Sequence, residues 1–214
     1  MQLLPDATTL LIFLGASLVL LLTPGPAVFY IVARSIDQGR AAGVVSTLGV
    51  AAGSCVHIAA AALGISALLA SSALAFNLVK LIGAAYLIYL GVRKFLVPDP
   101  VETDIAVEKK RLGEIFVQGV IVNVFNPKTA LFFLAFLPQF VDLAKGQVAL
   151  QMILLGVIFA LLGILSDGAY AIAAGSFGRW LKSHAGILRA QRYFAGSVFI
   201  TLGLLTAATG SGKK

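Results

Sequence analysis

Charge, cysteine and histidine are scarce in this 214-residue chain. Only 12% of its residues are charged, against roughly a quarter in soluble domains, so a water-exposed globular surface is excluded. A single cysteine, Cys55, rules out an intramolecular disulfide and a CxxC redox pair, and with them a membrane thiol relay. The two histidines, His57 and His184, stand far apart, and of the nine acidic residues only Asp167 falls inside an apolar run. HExxH and paired-acid motifs are therefore missing, which argues against a membrane-embedded enzyme acting on a lipid. No cluster of Cys, His or acidic side chains marks a resident metal.

What the chain has in quantity is apolar surface. Hydrophobic residues make up 59% and mean hydropathy is +0.99, the composition of an integral membrane protein. A spanning helix takes about 20 apolar residues, and six runs meet that length: 7 to 33, 42 to 70, 74 to 96, 115 to 141, 147 to 175 and 191 to 209. The formal charge of +7 would suggest nucleic acid as a partner of a soluble chain. Between membrane spans its placement matters more than its sum, and no nucleic acid is expected. With alternating loops, one side carries Arg34, Arg40, Arg93, Lys94, Lys109, Lys110, Arg111, Arg179, Lys182, Arg189 and Arg192. The other carries Lys145, Lys213 and Lys214. The positive-inside rule then puts both termini outside and the central loop in the cytoplasm.

No Lys or Arg precedes the first run, which is longer than a signal-peptide core, so it is expected to stay as an uncleaved span. Thr23-Pro24-Gly25-Pro26 interrupts it, and Asn126-Pro127-Lys128 interrupts the fourth run. Proline lacks an N–H and disfavours helical geometry at the residue before it. Asn126 suits an N-cap and Pro127 a first helical position, so one helix should end there and another begin. At mid-membrane such a break is tolerated only inside the protein or around a watery cavity; for the first break a simple proline kink is the plain alternative. The mixed charges and prolines of 98–114 read as a solvated linker. It separates a first three-helix repeat, 1–97, from a second, 115–214. Three is odd, so the second half runs upside down relative to the first. The expected fold is an all-α integral membrane protein with six transmembrane helices as two inverted three-helix repeats, helices 1 and 4 being broken.

Gly49, Gly53, His57 and Gly64 share one face of the second span, where small residues admit a neighbouring helix. His57 therefore points inward, either as an interhelical hydrogen-bonding group or as a proton-titrating one. Asp167 lies on a stripe with Gly156, Ala160, Gly163 and Ala174. A carboxylate in hydrocarbon costs about 2.5–3.5 kcal/mol even on a lenient scale, so it needs a partner or a task; a structural bridge to Lys128 is one reading. Lys80 can snorkel to the interface, the short Ser71-Ser72 turn leads into its span, and His184 sits in a basic loop. At each break the downstream half-helix starts with free N–H groups and partial positive charge, which suits a carboxylate. Thr23, Pro24, Gly25 and Pro26 with Asn123, Asn126, Pro127 and Lys128 are expected to bracket one. Asp167 would take an ammonium group or a counter-moving proton, and His57 would relay it. No catalytic residue, metal ligand or cofactor is expected.

Several pieces together carry a resemblance: Leu22-Thr23-Pro24-Gly25-Pro26, the glycines at Gly39, Gly43, Gly49 and Gly53, Lys80 through Leu87 with Gly91, and Gly119 through Asn123 to Asn126-Pro127-Lys128. Phe132, Phe133, Leu137-Pro138-Gln139-Phe140 and the stretch from Gly196 to Gly203 extend it over nearly the whole chain. The chain resembles the LysE/RhtB (lysine exporter / homoserine-threonine resistance) family of amino-acid exporters. The resemblance implies a secondary active exporter of small amino acids or their derivatives in the bacterial inner membrane, coupled to inward proton movement. Its partners would be the transported molecule, protons and the lipid bilayer, with a homo-oligomer left open. Two alternatives remain: a membrane scaffold or assembly subunit, which would not need two polar breaks facing a cavity, and a metal-ion exporter of the same superfamily, which would want clustered ligands.

Overall fold

The computed structural model describes residues 3–65, 73–96, 109–182 and 185–208, and all regular structure among them is helical. Outside them lie the Ser71-Ser72 turn, residues 98–108 of the linker, His184, and Lys213 and Lys214; the side chains of Lys80, Arg179, Lys182, Arg189 and Arg192 are likewise outside the description.

Helix α1 (Ala7–Leu22) opens on Asp6, whose carboxylate accepts from the Thr9 N–H at 3.0 Å and the Thr9 hydroxyl at 2.7 Å. Those bonds hold the Asp6 carboxyl below the usual carboxylate range. At its other end the Thr23 hydroxyl donates back to the Val19 carbonyl at 2.7 Å, and the chain bends by 51° into α2 (Pro26–Gln38). Helix α3 (Arg40–Ala60) closes on a π-helical turn over Ala61–Ile65, and α4 spans Ala73–Leu96. Helix α5 (Leu112–Val124) starts three residues before the expected run and meets a second bend, of 48°, into α6 (Pro127–Leu131). There the Asn126 side chain accepts from the Lys128 N–H at 3.1 Å and Pro127 is the first helical residue, as their chemistry predicts. Helix α6 then loosens into a π turn over Phe132–Phe136 and a 3₁₀ turn over Leu137–Phe140. Helices α7 (Val148–Lys182) and α8 (Ala185–Ala208) complete the chain.

Two single helices are long and apolar enough to cross a membrane, Arg40–Gly64 and Val148–Ser176. The two bent pairs, α1 with α2 and Leu112–Val124 with Pro127–Phe140, do so when each is counted as one span. The molecule is thus an all-α, multi-pass membrane protein with two broken helices. Large apolar side chains such as Leu11, Leu63, Leu96 and Leu165 are exposed on its outside, where lipid rather than water meets them.

Helix α3 is the centre of the bundle, packed against α2, α5 and α7. The α3–α5 approach depends on missing side chains. A Cβ at Gly53 would come within 2.8 Å of the Val120 carbonyl oxygen, and one at Gly119 within 2.9 Å of the Ser46 carbonyl oxygen. Gly64, expected on the same contact face, has nothing within 4 Å; the helix has already turned π by then. Helix α4 lies along α8. One half of the core is aromatic: Phe132 stacks on Phe159 at 4.1 Å between centroids, and Phe13, Phe136 and Phe140 surround the pair.

Candidate functional site: a charged cavity where two broken helices meet

The two breaks are 105 residues apart in sequence and touch in space: the Lys128 ammonium donates to the Thr23 carbonyl at 2.6 Å. That oxygen lies at the C-terminal end of α1, where the helix exposes unpaired carbonyls and partial negative charge. The neighbouring Leu22 carbonyl accepts from the Tyr170 hydroxyl of α7 at 2.8 Å. Gly25 makes room for the lysine stem, since a Cβ there would sit 3.1 Å from Lys128 Cδ.

Behind this contact is a cavity of about 30 Å³. Leu21, Ala27 and Val28 border it from the first break, and Asn123, Asn126, Lys128 and Thr129 from the second. Asp167, Gly163 and Phe159 of α7 and Ser54 of α3 close it. Roughly one or two waters would fill it, whereas sites for small molecules run to several hundred Å³. As it stands the cavity is too small for an amino acid.

Asp167 is only 5% exposed, and among the described residues its carboxylate has no hydrogen bond or ion pair. The structural bridge to Lys128 is not formed; the two charges act on each other while Lys128 bonds to backbone. Low dielectric strengthens such an interaction, and the pair sets one basic and one acidic side chain on the same cavity. Among the described residues no group of three or more His, Cys, Asp or Glu could hold a metal ion.

Asn123 ties the second break to α3. Its amide donates to the Val50 carbonyl at 2.7 Å and to Ser54 Oγ at 2.9 Å, while its side-chain oxygen accepts from the Thr129 hydroxyl at 2.9 Å. His57 stands behind it: Nε2 lies 2.9 Å from the Asn123 carbonyl oxygen, which can only accept, so Nε2 carries the proton. The His57 ring stacks on Phe133 at 5.8 Å and does not border the cavity. Replacing Asn123 with Ala removes three good hydrogen bonds and should cost about 1–3 kcal/mol. A lowered melting temperature in detergent, with His57→Phe closer to neutral, is the expected readout.

The geometry thus sorts the expected residues. Asn123, Asn126, Lys128 and Asp167 border the cavity, Thr23 and Gly25 touch Lys128, and Pro24, Pro26 and Pro127 shape the breaks. The second half-helix differs from expectation in one respect, because the Lys128 N–H is taken up by Asn126, whereas the start of α2 has no side-chain cap. Sequence reasoning missed Ser54, Thr129, Phe159 and Tyr170; Tyr170, one turn beyond Asp167, was the visible polar signal. It also counted Arg34 as an interfacial charge, yet Arg34 is buried and donates to Gln38 at 2.8 Å and Gln118 at 2.9 Å.

A small cavity bordered by a lysine and an aspartate, formed where two broken helices meet within a lipid-facing bundle, defines a membrane solute carrier. The family model described as LysE type translocator matches residues 18–210, and the chain belongs to that family. It is therefore a membrane exporter and not an enzyme, as the resemblance implied. The chain is 31% identical over 196 residues to the homoserine/homoserine lactone efflux protein of Salmonella typhimurium, covering 92% of this chain and 94% of that protein. It is 30% identical over 202 residues to an uncharacterized membrane protein of Vibrio cholerae, covering 94% and 98%. No solved structure matches the chain.

Proposed function

We propose that this protein exports small amino acids or their derivatives across the bacterial inner membrane by proton antiport and alternating access. Homoserine and its lactone, named for the Salmonella relative, are the first candidates. The single observation that carries the reading is the juxtaposition of Lys128 and Asp167 on one small cavity at the meeting of the two breaks. An α-amino acid has a carboxylate for the lysine and an ammonium group for the aspartate, and the uncapped start of α2 adds partial positive charge on the carboxylate side. Asp167 is the proton-coupling group in this scheme. His57 would join the relay through water, since its Nε2–H is held by a carbonyl.

The proposal includes six spans in two inverted repeats, 1–97 and 115–214, joined by a cytoplasmic linker at 98–114, with both termini periplasmic. Supporting it, the bends of 51° and 48° fall in the first span of each half. Several packing pairs also correspond when the halves are exchanged: α3 on α7 and α4 on α8 map onto themselves, and α3 on α5 corresponds to α7 on α1 and α2. In the outer half, Phe159 borders the cavity and stacks on Phe132, so the aromatic cluster would close the exit.

The test is uptake of labelled amino acids and lactones into inverted vesicles carrying the protein. An exporter fills them when their interior is acid, and a protonophore abolishes the gradient. No accumulation of any candidate, with or without the acid interior, would overturn the reading in favour of a scaffold subunit.

A further inference from the structure

A groove of about 400 Å³ runs between α2 and α5, walled by Tyr30, Ala33 and Arg34 on one side and Gln118, Ile121 and Val122 on the other. It is far larger than the central cavity and opens on the outside of the bundle. Its polar groups are turned inward to one another. The Tyr30 hydroxyl donates to the Ile115 carbonyl at 2.7 Å, and the Gln118 side-chain oxygen accepts from Arg34 at 2.9 Å. What faces the groove is therefore mostly hydrocarbon and the ring of Tyr30, a surface that offers nothing to a zwitterion.

Cations gather at its foot. Arg34 donates to Gln38 at 2.8 Å, the Gln38 amide donates to the Lys110 carbonyl at 2.9 Å, and the Lys110 N–H returns to Gln38 at 3.2 Å. This chain of bonds fastens the Lys109-Lys110-Arg111 stretch beside the end of α2, with Lys109 and Arg111 exposed. Asp37 in the last turn of α2 and Glu114 in the first turn of α5 are exposed there too, but Arg34, Lys109, Lys110 and Arg111 outnumber them and leave the foot net cationic. An apolar slot at membrane depth beneath basic side chains matches one kind of molecule, a lipid with an acyl chain and an anionic headgroup.

We propose that the α2–α5 groove binds an anionic phospholipid, its acyl chain against Ala33, Ile121 and Val122 and its phosphate at Lys109, Lys110 and Arg111. Such a lipid braces the two half-helices that lead to the central cavity, and the inference stands whether or not the substrate is an amino acid.

Native mass spectrometry of the full-length protein, presented with phosphatidylglycerol or phosphatidylethanolamine, tests it. The wild type should retain phosphatidylglycerol preferentially. Lys109→Gln with Arg111→Gln should erode that preference by roughly fivefold per removed cation, and both positions are exposed, so folding is not at stake. Ala33→Phe should fill the slot and reduce retention of either lipid. Equal retention of the two lipids by the wild type, or unchanged phosphatidylglycerol binding in the doubly neutralised variant, would overturn the proposal. So would displacement of the bound lipid by millimolar homoserine, which would make the groove a solute vestibule.

Discussion

Inverted vesicles carrying Asp167→Asn should build no acid-driven solute gradient, where the wild type is expected to reach up to about fifty-fold if one proton crossing about 100 mV exchanges for one neutral solute. The substitution keeps the shape of the side chain and removes its charge. Asp167 makes no hydrogen bond or ion pair among the described residues, so no structural contact is lost and the variant should reach the membrane at normal levels. A carboxylate in hydrocarbon demands a counter-charge. In the proposed transport cycle that demand would be met alternately by a proton and by the substrate's ammonium group, which would make the two exclude each other. Counterflow of labelled against unlabelled solute separates the two roles: exchange survives in the variant if Asp167 serves the proton alone, and fails if it also holds the ammonium. Acid-driven accumulation at the wild-type level would remove Asp167 from coupling.

The two breaks could be read in the sequence because their causes are local. Pro24, Pro26 and Pro127 lack an N–H, Asn126 has a side chain of the right length to cap, and no distant residue is needed to know that the helix stops. Burial of Asp167 was legible for a similar reason, through the small residues spaced along α7. What stayed hidden depends on pairings across the chain. The partner of Lys128 is a backbone carbonyl 105 residues away, and that of His57 is the carbonyl of Asn123. Every residue has a carbonyl, so side-chain identity leaves no trace of which one is used. Arg34 shows the same limit: its charge placed it in the interfacial tally, but Gln118, 84 residues on, draws it into the protein. The π turn at Phe132–Phe136 follows no local rule either, since no proline or glycine breaks the helix there and every residue but Leu134 is buried in the core.

On the proposed reading Lys128 has two partners to choose between, and substitution there should produce the second large effect. Its ammonium neutralises the carbonyl end of α1 through Thr23. In the proposed export cycle a substrate carboxylate entering an enlarged cavity would compete for the same donor, so that binding and the joint between the two breaks would be alternatives for one group. Lys128→Ala deletes both, leaving a buried carbonyl unpaired at about 1–3 kcal/mol and removing a charged hydrogen bond worth about 1.5–3 kcal/mol, which is roughly 10- to 150-fold in Kd. Lys128→Met separates them further, because it keeps an aliphatic stem against Gly25 while removing the charge. Both variants should lose affinity by a similar factor, with Ala destabilised more than Met in thermal unfolding. If either folds and binds solute with wild-type affinity, the lysine only seals the break, and the carboxylate must be held by the start of α2 without it.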